Sequence, residues 1–95
     1  MAKHRTVIED HTFWEQARLL QPAAKRLDEV IDGVVWLVAN HAEACPVIQG
    51  KLRVAFTNPF PDAPAVRIFF SITDENTCTL HWIEYLPIKE EDEYL

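Results

Sequence analysis

The hydrophobic pattern changes period midway along the chain, and this change limits the folds open to it. Between residues 27 and 38 apolar side chains recur at intervals of three and four, as on one face of an α-helix. From residue 51 onwards they alternate with other side chains, which is the period of a half-buried strand. A helix and a sheet of this kind each need a partner for their apolar face. The sequence therefore predicts an α+β domain.

Two helices are expected in the first half, after a short, charged edge strand at residues 3–9. Asp10 or Thr12 begins the first helix, because Thr12 to Glu15 fits the capping-box pattern. The second runs from about 22 to 41, with Pro22 in the first helical position. A tight turn between them predicts an antiparallel helical hairpin.

Three strands are expected in the second half, at residues 51–57, from residue 66, and at 77–85. Pro46 and Gly50 bracket a loop before the first of them, and a proline-rich loop at 57–64 follows it. The predicted order is β-α-α-β-β-β, an antiparallel sheet with the helical hairpin packed on one face.

The length and composition predict one domain over residues 1–95 with an acidic tail at 87–95, because single domains commonly hold roughly 100–150 residues. No apolar run approaches the roughly 20 residues of a membrane span, and the N-terminal residues do not resemble a signal peptide. We therefore expect a cytoplasmic protein. Cys45 and Cys78 are expected to be free, buried thiols. The four histidines lack the spacing of a metal site, so neither metal nor cofactor is expected.

The net charge of −6 is unevenly distributed. Residues 84–95 contain five acids and one lysine, which leaves the rest of the chain close to neutral. An acidic total disfavours nonspecific attraction to phosphates, but a local cationic cluster remains possible.

Strand alternation predicts such a cluster on the sheet face away from the helices. The side chains expected under the helices are Leu52, Val54, Phe56, Val66, Ile68, Phe70, Cys78, Leu80 and Trp82. Those expected on the other face are Lys51, Arg53, Arg67, Phe69, Ser71, Thr79, His81, Ile83 and Tyr85. Arginine forks and a lysine hold a phosphodiester, while His81 or Tyr85 can move a proton.

Simpler interpretations of these residues stand beside that one. Arg67 can pair with Glu84 or with the tail carboxylates, and His81 can be an ordinary half-buried histidine. Trp14 and Trp36 either pack in the core or present apolar surface to a partner. The acidic tail is either a solvated terminus or a segment that covers the cationic face or meets a basic partner.

Three short strings resemble the RelE/ParE toxin superfamily, and with the element order the resemblance extends over residues 5–94. These strings are Gly50-Lys51-Leu52-Arg53, Val66-Arg67-Ile68-Phe69-Phe70 with Asp74 at the next turn, and Leu80-His81-Trp82-Ile83-Glu84. The resemblance implies the toxin of a type II toxin–antitoxin pair that an antitoxin neutralises. The toxin implied by the resemblance acts either as a RelE-like, ribosome-dependent mRNA endoribonuclease or as a ParE-like inhibitor of gyrase.

The resemblance also implies roles for individual residues in a metal-independent reaction. Lys51, Arg53 and Arg67 lie where family cations stabilise the phosphate, and the attacking group is the 2′-hydroxyl of the RNA. Tyr94 lies where RelE-like members have a C-terminal catalytic tyrosine. With His81 and Tyr85 as further acid–base candidates, these six residues form the predicted site.

A second function is open on the same fold. The acidic tail and the aromatic side chains suit a non-catalytic module that binds a protein partner. A homodimer through an apolar patch on the sheet edge or helices is a further alternative.

Overall fold

The computed structural model describes residues 4–20, 27–57 and 65–86. Its elements are β1 (Thr6–Glu9), α1 (His11–Leu20), α2 (Leu27–His41), a 3₁₀ turn (Ala42–Ala44), β2 (Val47–Gln49), β3 (Leu52–Phe56), β4 (Val66–Asp74) and β5 (Thr77–Tyr85). The α+β class and the order of two helices followed by a strand meander are confirmed. The predicted helix–helix turn, most of the 57–64 loop and the acidic tail lie outside the described residues.

The sheet has five strands in the order β1-β5-β4-β3-β2 and is mixed rather than wholly antiparallel. β1 runs parallel to β5, while the other neighbouring pairs are antiparallel. No hairpin fixes the direction of β1, because the chain leaves it into α1 and returns only after β4. The expectation of an all-antiparallel sheet is therefore wrong at β1.

The fifth strand, β2, lies in the segment predicted as a loop between Pro46 and Gly50. Gln49 pairs with Leu52 across a two-residue turn, and Gly50 has a φ of +57° there. Glycine takes this left-handed conformation without steric cost, so the turn closes tightly. A three-residue strand is too short for its alternation to be recognised in the sequence.

The core lies between the helices and one face of the sheet, here called the helix face. The helical periodicity is confirmed: Leu27, Val30, Val34 and Val38 of α2 are buried. They and Phe13 of α1 pack against buried sheet residues, which are Ala55, Val66, Ile68, Phe70, Cys78, Leu80 and Ile83.

A β-bulge in β5 changes which residues reach that core. Phe69 pairs with Trp82 but the next residue, Phe70, pairs with Leu80, so His81 has no partner of its own across the ladder. An extra residue reverses the alternation beyond it. Consequently Ile83 is buried and Trp82 pairs with Phe69 on the opposite face, contrary to the prediction.

The strand β3 also has the opposite orientation to the prediction. Arg53 pairs with Phe70 and Ala55 with Ile68, which places Arg53 and Ala55 on the helix face. Phe56, expected in the core, is 51% exposed. Hydrophobicity alone cannot orient this strand, because Val54 and Ala55 are neighbours in the chain and both are buried. The register of β3 with β4 determines which of its residues face the helices.

An ion pair joins buried Arg5, just before β1, to the exposed Glu43 of the 3₁₀ turn that follows α2. Arg5 is 5% exposed, and its two terminal nitrogens donate to the Glu43 carboxylate at 3.1 and 2.8 Å. The Arg5 guanidinium lowers the pKa of Glu43 by hydrogen bonding and charge. The Arg5 backbone N–H donates to the carbonyl of Ala39 at 2.8 Å, so the start of β1 is bonded to α2 through the backbone and to the 3₁₀ turn through the side chain.

Candidate active site on the open sheet face

The sheet face opposite the helices, here called the open face, has three rows of side chains across β3, β4 and β5. They are Leu52–Ser71–Thr79, Val54–Phe69–Trp82 and Phe56–Arg67–Glu84. The middle row is apolar, and polar groups lie to either side of it.

A chain of hydrogen bonds links Asp10, His81 and Ser71 at one end of this face. The Asp10 Oδ2 lies 2.8 Å from His81 Nδ1, and His81 Nε2 lies 2.8 Å from Ser71 Oγ. The side chains of Asp10 and His81 are each 37% exposed, so solvent and small groups can reach them.

The positions of Asp10 and His81 both follow from backbone structure. Asp10 caps α1 rather than Thr12, because its Oδ1 accepts the Phe13 N–H at 3.0 Å. The Asp10 N–H donates to the carbonyl of Leu80 at 3.0 Å, which holds the start of α1 beside His81. His81 is the bulged residue, and bulges often re-aim a side chain at a functional position.

The electrostatics of this cluster favour the charged form of the Asp10 carboxylate. The Phe13 N–H, followed by the His81 hydrogen bond and charge, lowers the pKa of Asp10 against the opposing effect of desolvation. An ionised carboxylate only accepts hydrogen bonds, so His81 Nδ1 carries the proton that it donates to Asp10. In the neutral ring Nε2 is then an acceptor, and the Ser71 hydroxyl donates to it.

Arg67 lies at the other end of the open face and is paired. Its Nε donates to Glu84 Oε2, and Glu84 Oε1 accepts the Trp82 indole N–H at 2.9 Å. The Trp82 hydrogen bond, and then Arg67, lower the pKa of Glu84. The guanidinium carbon of Arg67 lies 5.9 Å from the centre of the Phe69 ring, within cation–π range. The simpler interpretation of Arg67, pairing with Glu84, describes its contacts correctly.

Of the six predicted site residues, five lie in the described part of the chain, and the structure does not bring those five together. Lys51 is exposed in the turn between β2 and β3. Arg53 lies on the helix face and donates to the backbone carbonyl of Cys45 at 2.8 Å. Tyr85, shifted by the bulge, packs against the core and donates to the carbonyl of Leu20 at 2.9 Å.

The prediction of one common face is therefore wrong for Arg53 and Tyr85. Both are tied to backbone carbonyls on the helix face. Arg67 and His81 do lie on the open face, and Tyr94 lies outside the described residues.

Sequence reasoning missed Asp10 as a member of the site and did not single out Ser71. Asp10 is recognisable as a helix cap, but 71 positions separate it from His81 and no local pattern links them. Ser71 was expected on this face without a role. Only the parallel pairing of β1 with β5 brings the three together.

The two tryptophans left open by the sequence are both surface side chains. Trp14 is 47% exposed and lies under the guanidinium of Arg18 at 4.8 Å, while Trp36 is 61% exposed. Both are thus available for contact with another molecule.

No metal-binding cluster of three or more suitable side chains occurs among residues 4–20, 27–57 and 65–86. Cys45 and Cys78 are free and buried, and desolvation raises the pKa of both thiols. Within the same ranges, neither helix has the length and apolar character needed to cross a membrane.

Among solved structures, the chain is similar to one in the crystal structure of the toxin–antitoxin complex RelBE2 from Mycobacterium tuberculosis. The TM-score is 0.67, the sequence identity 14%, and the match covers 88% of this chain and 93% of the other. No protein-family model and no curated protein matches the sequence. At this identity the likeness establishes the fold, and the RelE-like fold implied by the sequence resemblance is confirmed.

Proposed function

We propose that this chain is the toxin of a type II toxin–antitoxin pair and that it cleaves RNA without a metal ion. The RelE-like fold supports the class. The observation that carries the chemistry is the Asp10–His81 pair, an oriented imidazole on an accessible sheet face. A neutral imidazole whose acceptor nitrogen faces a hydroxyl can act as a general base for that hydroxyl.

In this proposal His81 Nε2 accepts the proton of the RNA 2′-hydroxyl, and cations bind neighbouring phosphates. Arg67 is four residues from Ser71 along β4, which corresponds to ~13 Å between their Cα atoms. Arg67 therefore contacts a phosphate next to the reacting one, after exchanging Glu84 for it. Lys51 and Tyr94 remain candidates for the reacting phosphate and the leaving oxygen. Arg53 and Tyr85 maintain the fold, because their polar atoms already bond to backbone carbonyls.

The proposed partner is an antitoxin, as in the RelBE2 complex, whose chains are a toxin and an antitoxin. The target is mRNA on the ribosome, with gyrase as the ParE-like alternative, and both place the protein in the cytoplasm.

The test is inducible expression in bacteria of the unmodified chain and of His81→Gln, Arg67→Ala and His41→Gln. His41 is exposed at the end of α2 and serves as the matched histidine control. We expect growth arrest from the unmodified chain and from His41→Gln, and relief in His81→Gln. Mapping of mRNA ends and a gyrase supercoiling assay then distinguish the two targets. Growth without arrest by the unmodified, soluble chain would contradict the proposal.

A non-catalytic protein-interaction module is the second candidate, and the pairing of Arg67 with Glu84 favours it. The open face presents an apolar row beside a neutralised cation, in a protein of net charge −6. Such a surface suits a protein partner better than a polyanion. Two results with the purified chain would support this candidate. The chain would leave RNA intact, and His81→Gln would not change its affinity for the partner.

A homodimer is proposed through the edge strand β2, where Val47 and Ile48 are 52% and 49% exposed. Light scattering of the purified chain and of a Val47→Lys variant tests it. A monomeric mass for the unmodified chain would rule it out.

A further inference from the structure

The structure assigns two roles beyond the proposed base. We infer that Asp10 is a positioning residue that selects the tautomer of His81, and that Ser71 Oγ occupies the place of the reacting hydroxyl in the unliganded protein. The identity of that hydroxyl as the 2′-hydroxyl of RNA rests on the proposed function. The orientation of His81 does not.

Asp10 is suited to this role because both of its carboxylate oxygens are engaged. Oδ1 accepts the Phe13 N–H at 3.0 Å and Oδ2 faces His81 Nδ1 at 2.8 Å. A carboxylate held at the start of a helix cannot rotate away without losing the cap. The imidazole is thereby held with Nδ1 towards Asp10 and Nε2 towards the open face. Selection of one tautomer by a carboxylate is the recognised role of the aspartate in Ser-His-Asp sites.

Ser71 completes the same sequence of hydrogen bonds, yet its surroundings do not suit a nucleophile. It lies in β4, which has strands on both sides, and it pairs with Leu52 and Thr79. The ladders use the backbone N–H groups around it, whereas acyl transfer needs free donors for the developing oxyanion. The nearby Thr79 hydroxyl is engaged with that of Thr73 at 2.6 Å.

The Ser71 hydroxyl therefore marks a position rather than reacting. Its Oγ lies 2.8 Å from Nε2, the separation required of a substrate hydroxyl that gives up its proton there. Rotation about the Cα–Cβ bond of Ser71 moves its hydroxyl away from His81 Nε2.

The chemical step then uses His81, the RNA and a water molecule. The Ser71 hydroxyl turns away and the 2′-hydroxyl takes its place. The 2′ oxygen forms a bond to the adjacent phosphorus as its proton passes to Nε2. The bond from phosphorus to the 5′ oxygen breaks, its electron pair stays on that oxygen, and water supplies the proton. The hydroxide left by that water takes the proton from Nε2, which restores His81. The products are a 2′,3′-cyclic phosphate and a 5′-hydroxyl.

The first experiment measures the tautomer by ¹⁵N NMR of the histidine side chains, without RNA. For the unmodified chain we expect His81 in the form protonated at Nδ1. In Asp10→Asn this preference should fall, while the helix persists because asparagine also caps helices. Asp10→Ser is a second capping variant, whose shorter side chain cannot reach the imidazole. An unchanged tautomer in both folded variants would overturn the role of Asp10.

The second experiment measures kcat and KM for cleavage of an mRNA bound to the ribosome, the proposed target. General-base loss in His81→Gln should slow cleavage about 10²- to 10⁴-fold. We expect Asp10→Asn to lower kcat with KM nearly unchanged, as for an interaction made in the transition state. Ser71→Ala should keep kcat within about threefold of the unmodified chain, because the Ser71 hydroxyl takes no part in the transition state.

Three outcomes would count against the inference or its premise. A loss in Ser71→Ala equal to that in His81→Gln, or labelling of Ser71 by a fluorophosphonate, would make Ser71 the nucleophile and overturn its assigned role. Intact RNA with the expected tautomer would overturn the proposed nuclease and leave the orientation of His81 established.

Discussion

Replacing Ile83 or Phe56 by alanine tests the orientation of the strands, because strict alternation and the structure make opposite predictions. Alternation places Phe56 in the core and Ile83 on the open face. In the structure Ile83 is fully buried and Phe56 is 51% exposed. The two variants therefore decide whether the bulge at His81 and the register of β3 are correct.

The expected magnitudes follow from burial. Ile83→Ala removes three carbons, and about 0.8 kcal/mol per buried carbon gives about 2.4 kcal/mol before any cavity is counted. With the cavity, isoleucine-to-alanine losses in cores are about 2–5 kcal/mol. Full burial of a phenylalanine is worth about 1.5–3 kcal/mol, so a half-exposed ring should cost about 1 kcal/mol and leave no cavity.

The assay is urea unfolding followed by circular dichroism, with the free energy of unfolding extrapolated to water. Equal slopes for the unmodified chain and both variants would show that the unfolded ensembles are comparable. A larger loss for Phe56→Ala than for Ile83→Ala would refute the bulge and the orientation of β3 together.

Three further predictions concern charged groups. Asp10, Glu43 and Glu84 each have a pKa that is lowered in the folded state. The stability that they contribute is therefore complete above the unfolded pKa of about 4, and it is lost as the pH falls through the folded pKa values. The urea midpoint should fall between pH 7 and pH 2, and it should fall less steeply in Asp10→Asn. Glu43→Gln should lower the urea midpoint more than Arg5→Met, because it leaves a buried guanidinium without its carboxylate. Glu84→Gln should free Arg67 and tighten binding of single-stranded RNA, with the salt dependence of log K steeper by roughly one.

Each of these predictions has a contrary result, and the third also has a control. An acid transition unaltered in Asp10→Asn would remove that carboxylate from the account of acid stability. Greater destabilisation by Arg5→Met would show that the pair is a net gain rather than a compensated cost. Glu9→Gln, which removes one exposed acid from β1, controls for the change in net charge. Equal tightening in it and in Glu84→Gln would exclude a specific release of Arg67.

The sequence was sufficient for the fold class because the two periods are strong and well separated. The α2 face was predicted correctly, since its apolar positions from Leu27 to Val38 repeat over about three turns. Arg67 and Phe69 were placed on the correct face because β4 alternates between buried and half-buried positions over most of its length.

Features that depend on pairing between strands could not be predicted from local sequence. The bulge at His81 depends on pairing with β4, and it reversed the faces of Trp82, Ile83 and Tyr85. The orientation of β3 depends on the same strand. The Asp10–His81 contact needs the pairing of β1 with β5, and neither residue has a motif that indicates the other.

The parallel pairing of β1 with β5 also determines when the candidate site can form. Thr6 to Glu9 pair with Thr77 to Leu80, so β1 cannot pair in the sheet until β5 has been made. Contacts between residues so distant in the chain are slow to form and are completed late in folding. During synthesis, Asp10 has no partner in β5 until residue 81 has left the ribosome, by which point both helices and three other strands have been made. A nascent chain therefore lacks the oriented histidine, and any activity that depends on it begins only after β5 has been made.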